Sequence, residues 1–275
     1  MAKISIISGA FNISNVFSFE KSMESILTQT FSDFEFIICD DGSTDNTWNI
    51  LSDYAKKDNR IVLIKNEKNM GLAFSLNRCI KESSSNIIAR HDLDDYSEKN
   101  RLEVQYNYLM LHPEISVLGT NSYLFDESGV WGKQTYPEKV KNDDFLFTSP
   151  YKHGSVMMRK EALEKAGYYR VSKETFRTED YDLFMTMQTF SKGENLQDFL
   201  YYFCENLSAK KRRKYKYRID ETKVRFKGFK KLKLMPKGFF YAIKPLIVGL
   251  IPQQILTKMQ NKHYKRLNNE VNNDR

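Results

Sequence analysis

Three acidic groups in the chain are of a type and spacing that could do chemistry: Asp40-Asp41-Gly42-Ser43, His91-Asp92-Leu93-Asp94-Asp95 and Glu179-Asp180. Clustered carboxylates repel one another and persist where a cation or a strong donor compensates them. Oxygen donors of this hardness suit Mg²⁺ or Mn²⁺, and an ion held by only one or two carboxylates is usually shared with substrate phosphates. An Asp-x-Asp after a strand, in a chain without a phosphate-cradling Gly-x-x-x-x-Gly-Lys, predicts a metal-bridged diphosphate as leaving group. The competing reading of Asp92–Asp95 is a solvated turn and N-cap ahead of a helix near residue 98. Glu179-Asp180 opens a helix with the apolar face Leu183, Phe184, Met187 and Phe190. The helix dipole favours acids in a first turn without any function, but the same start can aim a carboxylate into a cleft as a general base. Among the histidines, His153 in Tyr151-Lys-His-Gly-Ser155 is the best candidate for touching phosphate or metal. His91 is expected to point away from the acidic cluster, and His112 and His263 to lie at the surface. Cys39 ends an apolar strand and reads as core rather than nucleophile.

The elements that must position these groups alternate. Strands are expected at 3–8, 34–39, 61–64, 87–89 and 115–118. Helical spacing of apolar residues falls at 17–27, after the Asp40–Asp45 turn, at 71–80 and at about 98–111. Strand, crossover helix and strand every 25–30 residues or so predicts an α/β fold with a mostly parallel sheet covered on both faces. Ligands bind such sheets beyond the carboxyl ends of the strands. Asp40-Asp41 and the Asp92–Asp95 cluster both follow strands, so one rim should carry both. The segment 120–157 reads as irregular, followed by helices at 160–166 and 179–190. Composition changes abruptly near Asn206–Lys210, predicting a body of residues 1–207 and an extension of 208–275.

Of 275 residues, 41% are hydrophobic and 28% charged, the balance of a folded soluble protein. No apolar run reaches the roughly 18 residues of a spanning helix, and residues 1–7 read as a strand rather than a signal peptide. Three widely spaced cysteines argue against a disulfide scaffold and for a reducing cytoplasm. The net charge of +8 is segregated: residues 210–275 carry 20 Lys and Arg against 4 acids, which leaves the body at −8. Lys210-Lys-Arg-Arg-Lys214 and the lysines at 227–233 stand beside the apolar stretch 239–251, which Lys244, Pro245 and Pro252 interrupt. That pattern suits an in-plane anchor on an anionic membrane; packing of the apolar part on the body is the alternative. The acidic body and the lack of any recognition motif argue against nucleic acid.

In combination, these residues resemble the family-2 inverting glycosyltransferases of GT-A fold, over residues 3 to about 190. The resemblance is carried by Ile4–Ile7 with Asn12, Ser25–Phe31, Glu35–Asp45, Asn69–Leu72, Ala89–Asp95 with Arg101-Leu102, Gly154–Met157 and Glu179–Leu183, in that order. It implies that Asp40 or Asp41 contacts the nucleotide, with Asp41 the first choice for uracil, and that Phe11 stacks on the base. It implies further that Asp94 ligates Mn²⁺ or Mg²⁺, that Asp92 assists through ribose, water or metal, and that Asp180 is the base while Glu179 orients the acceptor or Asp180. The expected activity is transfer of one sugar from a nucleotide-sugar, a UDP-sugar first, to a glycan or polyprenyl-linked acceptor in surface-polysaccharide synthesis, at the cytoplasmic face of the membrane. Two departures stand out. Ser8-Gly9-Ala10 replaces the usual proline and small apolar residues after strand one, and no Gln-x-x-Arg-Trp follows Asp180. The second, together with the lack of long membrane spans, favours a single-sugar transferase over a polymerase. The rival readings are a sugar nucleotidyltransferase, which would carry a Gly-rich basic loop after strand one, and a membrane-associated scaffold that binds nucleotide-sugar without turnover.

Overall fold

The computed structural model describes residues 1–204, 215–251 and 255–256. The β-branched run of β1 (Ile4–Ala10) forms the centre of a sheet. It pairs in parallel with β2 (Phe34–Asp40) on one side and β4 (Ile87–Arg90) on the other, and β3 (Ile61–Lys65) extends the parallel set beyond β2. Helices α1 (Val16–Leu27), α2 (Thr47–Lys57) and α3 (Leu72–Glu82) make the crossovers. Side chains alternate across the pleat. Ile4, Ile6, Phe36 and Ile38 join Phe19, Met23 and Ile26 of α1 on one face. Ile7, Ile37, Cys39 and Ile88 join Leu76, Cys79 and Ile80 of α3 on the other.

Beyond β4 the sheet changes character. The two-residue β5 (Tyr96–Ser97) precedes α4 (Arg101–Leu111), and β6 (Ile115–Asp126) then runs for 12 residues into a hairpin with β7 (Gly129–Gln134). Strand β8 (Met157–Arg159) lies antiparallel between β4 and β6, and β9 (Lys192–Cys204) returns parallel to β6 and pairs with β5. The order is β3-β2-β1-β4-β8-β6-β9-β5, with β7 on β6. The expectation of irregular structure over 120–157 is therefore wrong in its first third, and the strand expected to stop at Leu118 continues to Asp126. No strand was expected at 192–204, where the sheet has its longest. Its first half, Lys-Gly-Glu-Asn-Leu-Gln-Asp, lacks alternation because register shifts against β6 interrupt the pleat.

Helices α5 (Lys160–Ala166) and α6 (Glu179–Met187) cover the same face as α3. Two more helices come from the basic extension: α7 (Tyr215–Lys231) packs onto α6, and α8 (Gly238–Leu250) onto α7. Val224, Phe229, Leu232 and Ala242 are buried in the same core as Leu183 and Met185 of α6. Lys210–Lys214, Pro252, His263 and the 207/208 boundary lie outside the described residues.

Candidate active site

The carboxyl ends of β1, β2 and β4 open onto one rim. Phe11, directly after β1, is 48% exposed, so its ring face is free for stacking. Asn12 adopts a left-handed backbone and ties two loops together: its N–H donates to Ser43 Oγ at 3.0 Å and its Oδ1 accepts from the Thr44 N–H at 3.0 Å. Asp40 and Asp41 are both buried. Asp40 Oδ1 accepts from the Ser43 N–H at 3.0 Å, and Oδ2 lies 3.9 Å from Lys65 Nζ. Asp41, the residue expected to face uracil, spends both oxygens inside the protein: it accepts from Asn66 Nδ2 at 2.6 Å and from the Met70 and Gly71 N–H groups at 2.8 Å. Its observed work is to hold the loop 66–71. Gly42 allows that loop to close, since a Cβ there would lie 2.4 Å from the Lys68 carbonyl carbon, at a φ of +71°.

After β4, Arg90 and His91 are fully buried. His91 turns its ring inward, Nε2 lying 2.8 Å from Ser22 Oγ, and burial beside Arg101 and Arg90 holds it well below its ordinary pKa, hence neutral. Arg90 is paired with the Asp92 carboxylate. Asp95 is also internal: it accepts from Tyr201 Oη at 2.8 Å and from the Cys204 N–H at 2.7 Å, and burial pushes its carboxyl well up. The carboxylates left facing the cleft are the half-buried Asp92 and the exposed Asp94. The protein crowding the walls of the cleft, and then the Asp92 charge, raise Asp94 to about 6. Among the described residues, no three His, Cys, Asp or Glu side chains form a metal cage by themselves. Asp92 and Asp94 present hard oxygen donors that fit Mn²⁺ or Mg²⁺, with further ligands to come from phosphate and water.

Residues 153–155 close the cleft from the other side. A Cβ on Gly154 would lie 2.8 Å from Asp92 Oδ2 and 2.1 Å from Tyr201 Oη. Gly154→Ala therefore has to displace Asp92 or Tyr201. We expect a loss of about 1–3 kcal/mol in stability, read by urea unfolding, and a roughly tenfold or greater fall in turnover; wild-type values of both would mean that these groups do not need their present positions. His153 Nε2 lies 2.8 Å from Tyr169 Oη, and burial lowers the imidazole pKa. Arg90, Asp180 and Asp92 all act electrostatically on His153, and Arg90, Asp180, Glu179 and Asp92 on Tyr169. The His153–Tyr169 pair thus lies within electrostatic reach of both the Asp92 group and the start of α6.

Glu179 and Asp180 form the first turn of α6, both half-buried. Burial and the neighbouring Asp180 charge raise Glu179 to about 7. The helix start is fixed by Arg170, whose Nε and Nη2 each donate to Asp182 at 3.0 Å and whose Nη1 donates to Glu174 at 2.7 Å. Sequence reasoning gave no role to Arg90, Tyr169 or Tyr201. Arg90 had a signal, a lone cation beside three acids; Tyr201 had none, because its strand was not recognised.

A parallel half joined to a mixed half, with acids at the carboxyl ends of the parallel strands, is the GT-A architecture. Staphylococcus aureus TarS in complex with UDP-GlcNAc matches it with a TM-score of 0.65 at 22% identity, over 82% of this chain and 66% of that one. The mannosyltransferase PcManGT of Pyrobaculum calidifontis, in complex with GDP-Man and Mn²⁺, matches with 0.63 at 15% identity, over 98% and 83%. At these identities the likeness speaks for the fold alone. The chain belongs to glycosyl transferase family 2, whose model matches residues 14–167. EpsE of Bacillus subtilis, named as a glycosyltransferase, is 37% identical over 270 residues, 98% of this chain and 95% of EpsE. WfaP of Escherichia coli, named as a UDP-Glc:alpha-D-GlcNAc-diphosphoundecaprenol beta-1,3-glucosyltransferase, is 29% identical over 90% of this chain and 95% of its own length.

Proposed function

We propose that this glycosyltransferase moves one sugar, with inversion, from a UDP-sugar to a hydroxyl of a lipid-linked glycan in surface-polysaccharide assembly, at the inner face of the cell membrane. The observation that carries this reading is that Asp92, which flanks Gly154, and Asp180 both act on the buried pair of His153 and Tyr169 next to Gly154. The donor and acceptor class are supported by the substrates in WfaP's name and by the UDP-GlcNAc bound to TarS.

In this reading Phe11 stacks on the base, and Asp40 and Asp41 hold the nucleoside loop. Asp92 and Asp94 would hold Mn²⁺ or Mg²⁺, which when bound neutralises charge on the departing diphosphate. The acceptor oxygen forms its bond to the anomeric carbon as the bond from that carbon to the phosphate oxygen breaks. The electron pair leaves on the nucleoside diphosphate, and the acceptor proton passes to Asp180. A single displacement needs no enzyme nucleophile and inverts the configuration. His153, neutral and bound to Tyr169, lines the acceptor side and orients it with Glu179.

The test is to incubate the protein with a panel of UDP-, GDP- and dTDP-sugars, Mn²⁺ and a synthetic GlcNAc-diphosphopolyprenol acceptor. Release of UDP with a product of inverted anomeric configuration is expected. Retention of configuration, or tight UDP-sugar binding with no acceptor turned over, would overturn the reading.

The pH profile supplies a separate check. Below about pH 7 Glu179 is neutral; above it, Glu179 is a carboxylate that can accept from the acceptor hydroxyl and so orient it. Turnover should therefore rise through pH 7, and Glu179→Gln should flatten that rise. An unchanged inflection in the variant would assign the ionisation elsewhere.

A further inference from the structure

Helix α8 is built inside out. It packs on α7 through small residues: a Cβ on Gly238 would lie 2.9 Å from the Phe229 ring, and one on Gly249 2.9 Å from the Tyr215 ring, while Ala242 and Pro245 are buried. Most of its large apolar side chains point the other way, although Phe239 also meets Phe226 of α7 edge-on at 5.5 Å. Phe240 and Leu250 are each 73% exposed, Ile247 58% and Phe239 47%. At 100° per residue these four fall on an arc of about 100°. A surface helix normally turns such an arc toward the core; here it is left facing outward. The exposed Phe147 extends the patch, packing edge-on against Tyr241 at 5.0 Å.

The surroundings of the stripe are basic. Lys244 lies on α8 beside it and Lys237, paired with Asp143 at 2.6 Å, caps its start, while Lys230, Lys231 and Lys233 stand at the end of α7 and just after it; in sequence, residues 210–275 carry 20 Lys and Arg against 4 acids. An apolar strip rimmed by cations is complementary to a bilayer with anionic headgroups. Thirteen residues span about 20 Å of helix, short of the roughly 30 Å hydrocarbon layer, and no helix among the described residues is long and apolar enough to cross a membrane. The helix can lie in the plane of the interface.

The same hairpin is tied to the catalytic side. Lys227 Nζ reaches Glu174 at 2.7 Å, the Phe176 and Tyr217 rings are 5.4 Å apart, and the Arg225 guanidinium sits 5.2 Å from the Tyr181 ring. Glu174, Phe176 and Tyr181 bracket Glu179-Asp180. Val171 and Phe176 of that loop are themselves about half exposed.

We propose that the outward stripe of α8, Phe239, Phe240, Ile247 and Leu250, inserts into the interfacial layer of an anionic membrane and so holds the start of α6 close to acceptors embedded there. The consequence for acceptors rests on the function proposed above; the docking does not.

The full-length chain would be tested by flotation with vesicles of phosphatidylcholine alone and of phosphatidylcholine with phosphatidylglycerol, without donor or acceptor. Wild type should float with the anionic vesicles and persist in part at 0.5 M salt, because insertion of apolar side chains is not screened. The triple variant F240S/I247S/L250S should lose at least tenfold in vesicle affinity at both salt concentrations, with unchanged melting temperature and unchanged UDP-sugar hydrolysis. Wild-type flotation by the triple variant would overturn the proposal and leave binding to the basic residues alone. So would a wild-type dimer in light scattering that the triple variant disperses, since the stripe would then be an interface between copies. Vesicle binding without any sugar transfer would sink the functional reading and leave the docking intact.

Discussion

Asp94→Asn should reduce sugar transfer by about 10³-fold or more, and the remaining rate should no longer respond to Mn²⁺. The size follows from what would be removed: one of the two carboxylates facing the cleft, opposite a leaving group on which negative charge develops, where electrostatic stabilisation contributes most. The substitution keeps the shape of the side chain, and Asp94 is exposed and carries none of the internal bonds of its neighbour. Its stability cost should therefore be small. Asp95→Asn provides the contrast. Asp95 accepts from Tyr201 and Cys204 deep in the protein, so that variant should lose stability along with activity. The measurement is initial rate against Mn²⁺ concentration, with an EDTA control. Wild-type turnover by Asp94→Asn in EDTA would remove Asp94 from the metal.

Asp180→Asn should lower turnover by about 10²–10⁴-fold, the range for loss of a positioned general base, while calorimetry finds donor affinity within a few-fold of wild type. In the proposed reading the donor is held by residues after β1, β2 and β4 while the base stands on α6, so the two effects should separate. Asn preserves the shape of the first turn of α6, and the anchors of that turn are elsewhere, in Asp182 with Arg170 and in Glu174 with Arg170 and Lys227. A loss of folding is not expected. Donor hydrolysis by water should fall together with transfer, since both need a proton taken from the attacking oxygen. Near-normal turnover would exclude Asp180 as the base and turn attention to Glu179, the neighbouring carboxyl held at about 7.

The two halves of the sheet were unequally legible. The parallel half could be read residue by residue, because β1, β2 and β4 are nearly continuous apolar runs and their crossover helices repeat at 3.6 residues. The mixed half could not. In β9, apolar and polar residues do not alternate along the sequence, because the strand slips register against β6 and is supported by side chains such as Asn195 and Thr120 that bind backbone carbonyls rather than fill a core. The extension shows the same limit: its charge was obvious, but that Val224 and Phe229 belong to the core of the body, while Phe240 and Leu250 do not, depends on which face of each helix meets α6 or α7.

The order of the residues alone determined which acids follow which strands, and hence that Asp40-Asp41 and Asp92–Asp95 share a rim, because a parallel sheet places all its carboxyl ends together. It also determined that Glu179-Asp180 begins a helix. Only the tertiary structure decided which carboxylates are spent inside. Asp95 is a neighbour in sequence of the exposed Asp94, yet it is buried on the backbone N–H of Cys204, and Asp41 is held by those of Met70 and Gly71, all from distant segments. A buried carboxylate has to find donors wherever the fold supplies them, and those donors are set by packing rather than by spacing along the chain.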